Sequence, residues 1–223
     1  TATVFMPEAA PLPKVAATTA YGAQVRLSGA TVDEALVAAR AFEAETGAIL
    51  IHPFDHADVV AGQGTVGLEI LEQCPDVRTV VVCTGGGGLV AGIAVAVKAL
   101  RPDVQIVAAQ ASGAAAFPGS LAAGRPVPVS DMVTMADGIA VGCPGELTFP
   151  LVRDLVDRVV TVEEDTISRA LLLCLERAKL VVEPAGAAAV AAILDDPTAF
   201  APPVVAGTVV PGPAVRAPVP AGY

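Results

Sequence analysis

Short β-branched or alternating runs and stretches of helical period follow one another along most of this chain. Residues 2–6 read as a strand. Pro11-Leu12-Pro13-Lys14 opens a helix that runs to about Tyr21, and residues 24–27 form a second strand. Thr31 and Glu34 have capping-box spacing, and the helix they start carries Val32, Leu36, Ala39 and Phe42 on one face and stops at Gly47. Residues 48–51 make a third strand. These segments lie too far apart in sequence for tight hairpins, so the rhythm predicts a parallel sheet. His52-Pro53-Phe54-Asp55 interrupts it and marks a crossing between two lobes. Gly62-Gln63-Gly64-Thr65 precedes a helix over 66–73.

The second half repeats the alternation. A strand over 79–83 is followed by Gly85-Gly86-Gly87-Gly88, then by an Ala/Val-rich helix over 89–100 that Arg101-Pro102 closes. A strand over 104–109 ends in Gln110. The Gly-, Pro- and Ala-rich stretch 112–141 reads as a long excursion without regular structure, beside a site. A helix over 149–156 and a strand over 159–162 follow. Thr161 with Glu164 has capping-box spacing again, and Ile167, Ala170, Leu171, Cys174 and Ala178 form one stripe of the next helix. Glu183-Pro184 leads into an Ala-rich helix with proline at its first position. Seven prolines crowd 197–223, where only 204–205 and 208–210 look strand-like, and everything after Ala206 is expected to be poorly ordered.

The strand, glycine loop and helix at 79–100 carry the strongest chemical signal. Glycines let the backbone approach an anion, amide N–H groups point inward, and a helix N-terminus adds partial positive charge. No Ser, Thr, Asp or Asn lies between Gly85 and Leu89 to cap the helix, so a bound phosphate would satisfy its first N–H groups. A nucleotide P-loop is excluded, because no Gly-Lys-Ser/Thr follows Gly88. Gly86, Gly88 and Ala91 fit a dinucleotide fingerprint, but the next strand ends in Gln110 where that fingerprint wants an acidic residue.

Composition narrows the classes further. The 223 residues are 54% hydrophobic and carry a net charge of −10, which disfavours nucleic acid or an anionic membrane as partner. Apolar runs are broken before a membrane span is reached, and no basic n-region or signal-peptide core opens the chain. The four cysteines form no C-x-x-C, and His52 and His56 flank a proline with no H-E-x-x-H pattern; a cytoplasmic protein with reduced thiols and no metal is expected.

Five segments occur in order: Ala10-Pro11-Leu12-Pro13-Lys14, His52-Pro53-Phe54-Asp55 with Ala61-Gly62-Gln63-Gly64-Thr65, the tetraglycine loop, Ala136-Asp137-Gly138-Ile139-Ala140-Val141, and Val182-Glu183-Pro184-Ala185-Gly186. Together, from Thr1 to about Ala206, they resemble the threonine ammonia-lyases (threonine dehydratases), which are fold-type-II pyridoxal-phosphate enzymes related to serine racemase. The resemblance implies an α/β fold of the tryptophan-synthase-β kind, with parallel twisted sheets, helices on both faces and two lobes. Residues 1–52 would be the remaining part of the small lobe, 53–206 most of the cofactor-bearing lobe, and 207–223 a tail.

It further implies pyridoxal 5′-phosphate as cofactor. Backbone N–H groups of Gly85, Gly86, Gly87, Gly88 and Leu89 would hold its phosphate. Asp137-Gly138 and Glu183 would flank its ring, and Pro53 and Phe54 would lie near an amino-acid substrate. The implied reaction is α,β-elimination on L-threonine or L-serine to a 2-oxo acid and ammonia, in a dimer or tetramer. The rivals are an amino-acid racemase on the same scaffold and a non-catalytic remnant that binds phosphate or a partner subunit. Racemase-like relatives carry acidic metal ligands where this chain has Gln110 and Ala116, which make a poor divalent-cation site.

The family joins the cofactor aldehyde to a lysine in a Ser-Phe-Lys-x-Arg-Gly-Ala segment, and this chain has no such segment. Its three lysines are Lys14, Lys98 and Lys179, none at that position, so no catalytic residue is assigned. The family's Ser-x-Asn-His loop is also missing, and its Ser-Gly-Gly-Asn strand is replaced after Ala206 by Gly207-Thr208-Val209-Val210-Pro211. The expectation is a fragment without its N-terminal portion, its last strand lost to divergence or a frame change. Such a chain should be inactive alone and should aggregate or need a partner.

Overall fold

A computed structural model describes residues 1–200; the strands and the poor order expected within 201–223 lie outside the described residues. In chain order the elements are β1 (Thr3–Met6), α1 (Leu12–Ala20), β2 (Gln24–Leu27), α2 (Val32–Thr46), α3 (Ala57–Gln73), β3 (Thr79–Cys83), α4 (Gly88–Leu100), β4 (Gln105–Ala111), α5 (Ala116–Ala123), α6 (Thr148–Leu155), β5 (Arg158–Val162), α7 (Glu164–Leu173) and α8 (Pro184–Asp195).

Both sheets are parallel, as the spacing predicts. β1 pairs with β2 in a two-stranded sheet, and β4 lies between β3 and β5 in a three-stranded one. The larger sheet is covered on both faces, which parallel strands require. Val80, Val82, Ile106 and Ala108 point toward α4 and α6. Val81, Cys83, Ala109 and Ala111 point toward α7 and α8. This period of two explains why the strands read as near-continuous apolar runs: neither face meets water.

Five local readings are corrected. Residues 48–51 form no strand: with β1 and β2 paired to each other they find no ladder among the described residues, and Ile49 and Ile51 stand 91% and 72% exposed. Gly62-Gln63-Gly64-Thr65 does not precede the helix but lies inside it, because α3 starts nine residues earlier than residue 66. Glycine serves there as a packing surface. Gly64 and Gly67 face α4, and a methyl on Gly92 of α4 would run into the carbonyl oxygen of Val60 and lie 2.7 Å from Gly64 N. The two backbones therefore approach more closely than side chains would permit.

The excursion at 112–141 holds a regular helix, α5, and a 3₁₀ turn at Asp137–Ile139. Thr161 caps nothing, because it is paired with Gln110 in the β4–β5 ladder; Glu163 is the N-cap of α7, and Glu164 accepts from Met135 N at 2.8 Å. The stripe on α7 keeps Ile167, Ala170 and Cys174 buried but loses Ala178, because a π turn at Cys174–Ala178 shifts the phase. The first capping box holds in modified form. Thr31 Oγ1 accepts from Glu34 N at 3.2 Å, while the Glu34 carboxylate takes the N–H of Ala30 rather than that of Thr31.

His52 fixes the crossing between the sheets. Its Nδ1 accepts from Asp55 N at 2.8 Å and Phe54 N at 3.3 Å, and its ring meets Phe54 edge-on at 4.6 Å. Both bonds need an unprotonated Nδ1. Burial pushes its pKa below the ordinary 6.5, outweighing the attraction of Asp55. The unfolded chain then takes up the proton first as pH falls, so this stabilisation is complete above 6.5 and is lost below it. The melting temperature should fall as the pH drops below about 6.5. His52→Asn, whose amide oxygen keeps the acceptor, should flatten that slope; equal slopes in both proteins would contradict the assignment.

Candidate active site

A cavity of about 1630 Å³ opens between the two sheets. The wall beside the three-stranded sheet includes residues 83–90, Gly138 and Val141; the wall beside the two-stranded sheet includes Phe5, Phe42 and Ile51; Pro53 and Phe54 lie between them. The sequence-predicted residues Gly85, Gly86, Gly87, Gly88, Leu89, Gly138, Pro53 and Phe54 thus share one cavity. Glu183 is not among its lining residues. As N-cap of α8 it stands behind Gly138, its carboxylate oxygen 3.0 Å from where a Gly138 side chain would begin.

The glycine loop is a turn from β3 into α4. Gly87 is the helix N-cap with φ of 99°, a left-handed conformation that favours glycine, and no side chain caps the helix. The first helical bond is Ala91 N to Gly87 O at 2.9 Å. Among the described residues, the N–H groups of residues 85–89 find no protein acceptor. Gly86, Gly87 and Gly88 are buried, so such donors are costly unless a ligand takes them. The Phe54 ring lies against Gly86, the Cβ and backbone of Phe54 lie against Gly88, and together they close one side of the loop.

Several supporting residues escaped the sequence reading. Asp55 reaches across to the start of α6, where its carboxylate accepts from Glu146 N, Leu147 N and Thr148 N at 3.0, 2.9 and 3.1 Å. A side chain at Gly145 would occupy the space of that carboxylate. Thr148, fully buried, donates to Gly86 O at 2.6 Å. The Phe117 ring closes on Gly87 from behind. No local signal marks these residues, because their partners lie far away in sequence; the Asp following Pro53-Phe54 was the nearest hint.

Charge in the cavity is sparse. Lys14 on α1 and Asp137 beside Gly138 both line it, and they pair at 3.2 Å across the two lobes. Lys98 pairs with Asp157 at 2.8 Å, and Lys179 donates to Glu176 O at the end of its own helix, so neither serves the cavity. Cys83 also lines the cavity, and burial pushes its thiol pKa up, so it stays protonated. No helix among the described residues is long and apolar enough to cross a membrane.

The arrangement suits a phosphorylated, partly apolar ligand: unpaired amides and a helix N-terminus for the anion, small and aromatic walls for the rest. Comparison with known proteins leads the same way. The family described as "Pyridoxal-phosphate dependent enzyme" matches residues 1–212. An L-threonine ammonia-lyase of Geobacter sulfurreducens is 52% identical over 193 residues, covering 86% of this chain and 48% of that protein. One from Thermotoga maritima is 49% identical over 194 residues, covering 87% and 48%. The structure of maize serine racemase superposes with a TM-score of 0.82 at 40% identity, covering 87% of this chain and 59% of that one. The chain spans about half the length of the curated lyases it matches.

Proposed function

The chain belongs to the fold-type-II pyridoxal-phosphate dependent enzymes, and on that footing we propose that it is the cofactor-bearing part of an ammonia-lyase that turns L-threonine or L-serine into a 2-oxo acid and ammonia. The observation that carries this reading is the loop at 85–89, whose five N–H groups lack acceptors among the described residues, beside an open cavity. The residues fit the cofactor. Gly85, Gly86, Gly87, Gly88 and Leu89 would hold its phosphate, Gly138 would flank its ring with Glu183 behind it, and Pro53 and Phe54 would lie near the substrate.

Bound there, pyridoxal phosphate supplies an electron sink for a carbanion at the substrate α-carbon. This chain's own residues bind and orient. The loop neutralises the phosphate without a side-chain cation. Phe54 packs against the loop and excludes water from one side. Lys14 and Asp137 hold the lobes together over the cavity. Residues 1–52 contribute to the small lobe and 53–206 to the large one. A proton-transferring lysine is not assigned to Lys14, Lys98 or Lys179, so the chain by itself is expected to bind cofactor without turnover. A cytoplasmic dimer or tetramer suits the reading.

The racemase reading draws on the maize structure. The higher identity to ammonia-lyases, and the uncharged Gln110 near the end of β4 and Ala116 at the start of α5, support the lyase instead. Borohydride reduction after adding pyridoxal phosphate should leave no lysine of this chain modified. Supplying the lysine-bearing half of the small lobe as a second polypeptide should yield a 2-oxo acid from L-threonine. D-serine from L-serine with no oxo acid would favour the racemase, and a stably modified Lys14 would overturn the assignment of lysines.

A further inference from the structure

The unpaired amides of the glycine loop point somewhere only if their peptide planes are held. In a trans peptide the C=O of one residue and the N–H of the next point in opposite directions. No cis peptide occurs among the described residues. Fixing the carbonyls of Thr84, Gly85 and Gly86 therefore fixes the N–H groups of Gly85, Gly86 and Gly87.

Two buried side chains from elsewhere in the fold grip those three carbonyls. Gln110 on β4 is fully buried, and its side-chain amide donates to Thr84 O and Gly85 O, each at 3.4 Å. Its own carbonyl is occupied from the other side by Phe117 N at 3.0 Å, so the amide cannot turn around without losing that bond. Phe117 in turn lies against Gly87. Thr148 at the start of α6 donates to Gly86 O at 2.6 Å, and Gly145 N adds a longer bond to the same oxygen at 3.3 Å. Thr148 Oγ1 also accepts from Gly145 N at 3.1 Å, which fixes the direction of its own proton. Gln110 thus fits the core not as a vestigial polar residue but as a paired donor and acceptor, which full burial demands.

We propose that Gln110 and Thr148 are the positioning residues of the anion cradle: they hold the carbonyls of residues 84–86 on the protein side and so aim the N–H groups of Gly85, Gly86 and Gly87 at a phosphoryl group. The proposal rests on the phosphate-binding reading of the loop. Neither residue touches the ligand; each acts through the backbone. A loop of glycines has little intrinsic preference for one orientation of its peptide planes, and these two side chains supply it.

The test compares affinity for pyridoxal phosphate with affinity for pyridoxal, which lacks the phosphate, well below the melting temperature. Thr148→Val removes the hydroxyl at nearly constant volume, Gln110→Met removes the amide, and Thr148→Ser keeps the hydroxyl. Each of the first two should weaken pyridoxal phosphate binding by about tenfold or more and leave pyridoxal binding unchanged; Thr148→Ser should stay within about twofold of the parent. Should the first two variants fail to fold, amide resonances of the parent chain decide. Added inorganic phosphate should shift the Gly85, Gly86 and Gly87 N–H signals together. A parent chain that does not bind pyridoxal phosphate overturns the phosphate reading and the proposal with it. A parent that binds, alongside variants that bind as tightly or lose both ligands equally, overturns the proposal alone. So do resonances that shift at only one of the three glycines.

Discussion

Gly87→Ala should reduce the affinity for pyridoxal phosphate by about 100-fold or more while lowering the melting temperature only modestly. Two costs combine at this position. The backbone has φ of 99°, where a Cβ is disfavoured by about 1–2 kcal/mol. The added methyl would also sit 2.8 Å from the tip of the Phe117 ring and 3.0 Å from Thr148 Oγ1. Phe117 is fully buried and cannot swing into solvent. Relief has to come from the loop or from Thr148, and either movement turns the Gly86 peptide away from its bond to Thr148. The binding function should fail before the fold does. Spectroscopic titration with the cofactor checks it, and an affinity within about threefold of the parent would contradict the proposed geometry of the loop.

Gly92→Val should cost about 3 kcal/mol or more and prevent folding at ordinary temperatures. The reason lies in packing rather than in chemistry. Gly92 is where α4 crosses α3, and an added side chain would strike the Val60 carbonyl, Gln63 Cβ and Gly64 N. Two of these three are backbone atoms, so the helices themselves have to separate, and with them the core that Val60, Val90 and Ile93 share. Gly62→Ala supplies the opposite expectation on the same helix. Nothing lies within 4 Å of a methyl there, and alanine is the better helix former, so stability should rise by up to about 1 kcal/mol. Chemical denaturation of both variants tests the crossing. If Gly92→Val melted like the parent, the close approach of α3 and α4 would be wrong.

These glycines show where sequence reading succeeds and where it stops. At 85–88 glycine was read as a backbone that must bend and admit an anion, because a β-branched strand and an uncapped helix flank it. Those cues are local. At Gly62 and Gly64 the pattern places the same residue ahead of the helix, whereas α3 runs straight through both. Glycine's local preference against helix is offset at Gly64 and Gly67 by the partner helix, which no local window contains. The strand over 48–51 fails for a related reason: a continuous apolar run shows that a segment can form a ladder, but a ladder needs a neighbour. Thr161 and Glu164 had the right spacing for a cap, yet the β4–β5 register had already claimed Thr161.

The candidate site divides in the same way. Gly85, Gly86, Gly87, Gly88, Pro53 and Phe54 were legible because each sits in a short motif. Asp55, Gln110, Phe117 and Thr148 were not, since their work consists of hydrogen bonds or contacts to distant segments: Asp55 bonds residues 91 to 93 positions away. Gln110 was noticed only for what it fails to be, an acidic residue. Full burial and its three hydrogen bonds give it a positive role. Lys14 was set aside as a catalytic amine, and its pairing with Asp137 accounts for it as a tie between the lobes.

The central claim is that the loop after β3 receives the phosphate of vitamin B6. A crystal structure of the chain grown with pyridoxal phosphate tests this most directly. The account predicts phosphate oxygens within about 3.2 Å of the amide nitrogens of residues 85–89, with the Thr84, Gly85 and Gly86 carbonyls still held by Gln110 and Thr148. A phosphate seated elsewhere in the cavity, or a loop sealed by the Phe54 ring while the cofactor binds at another surface, would contradict it.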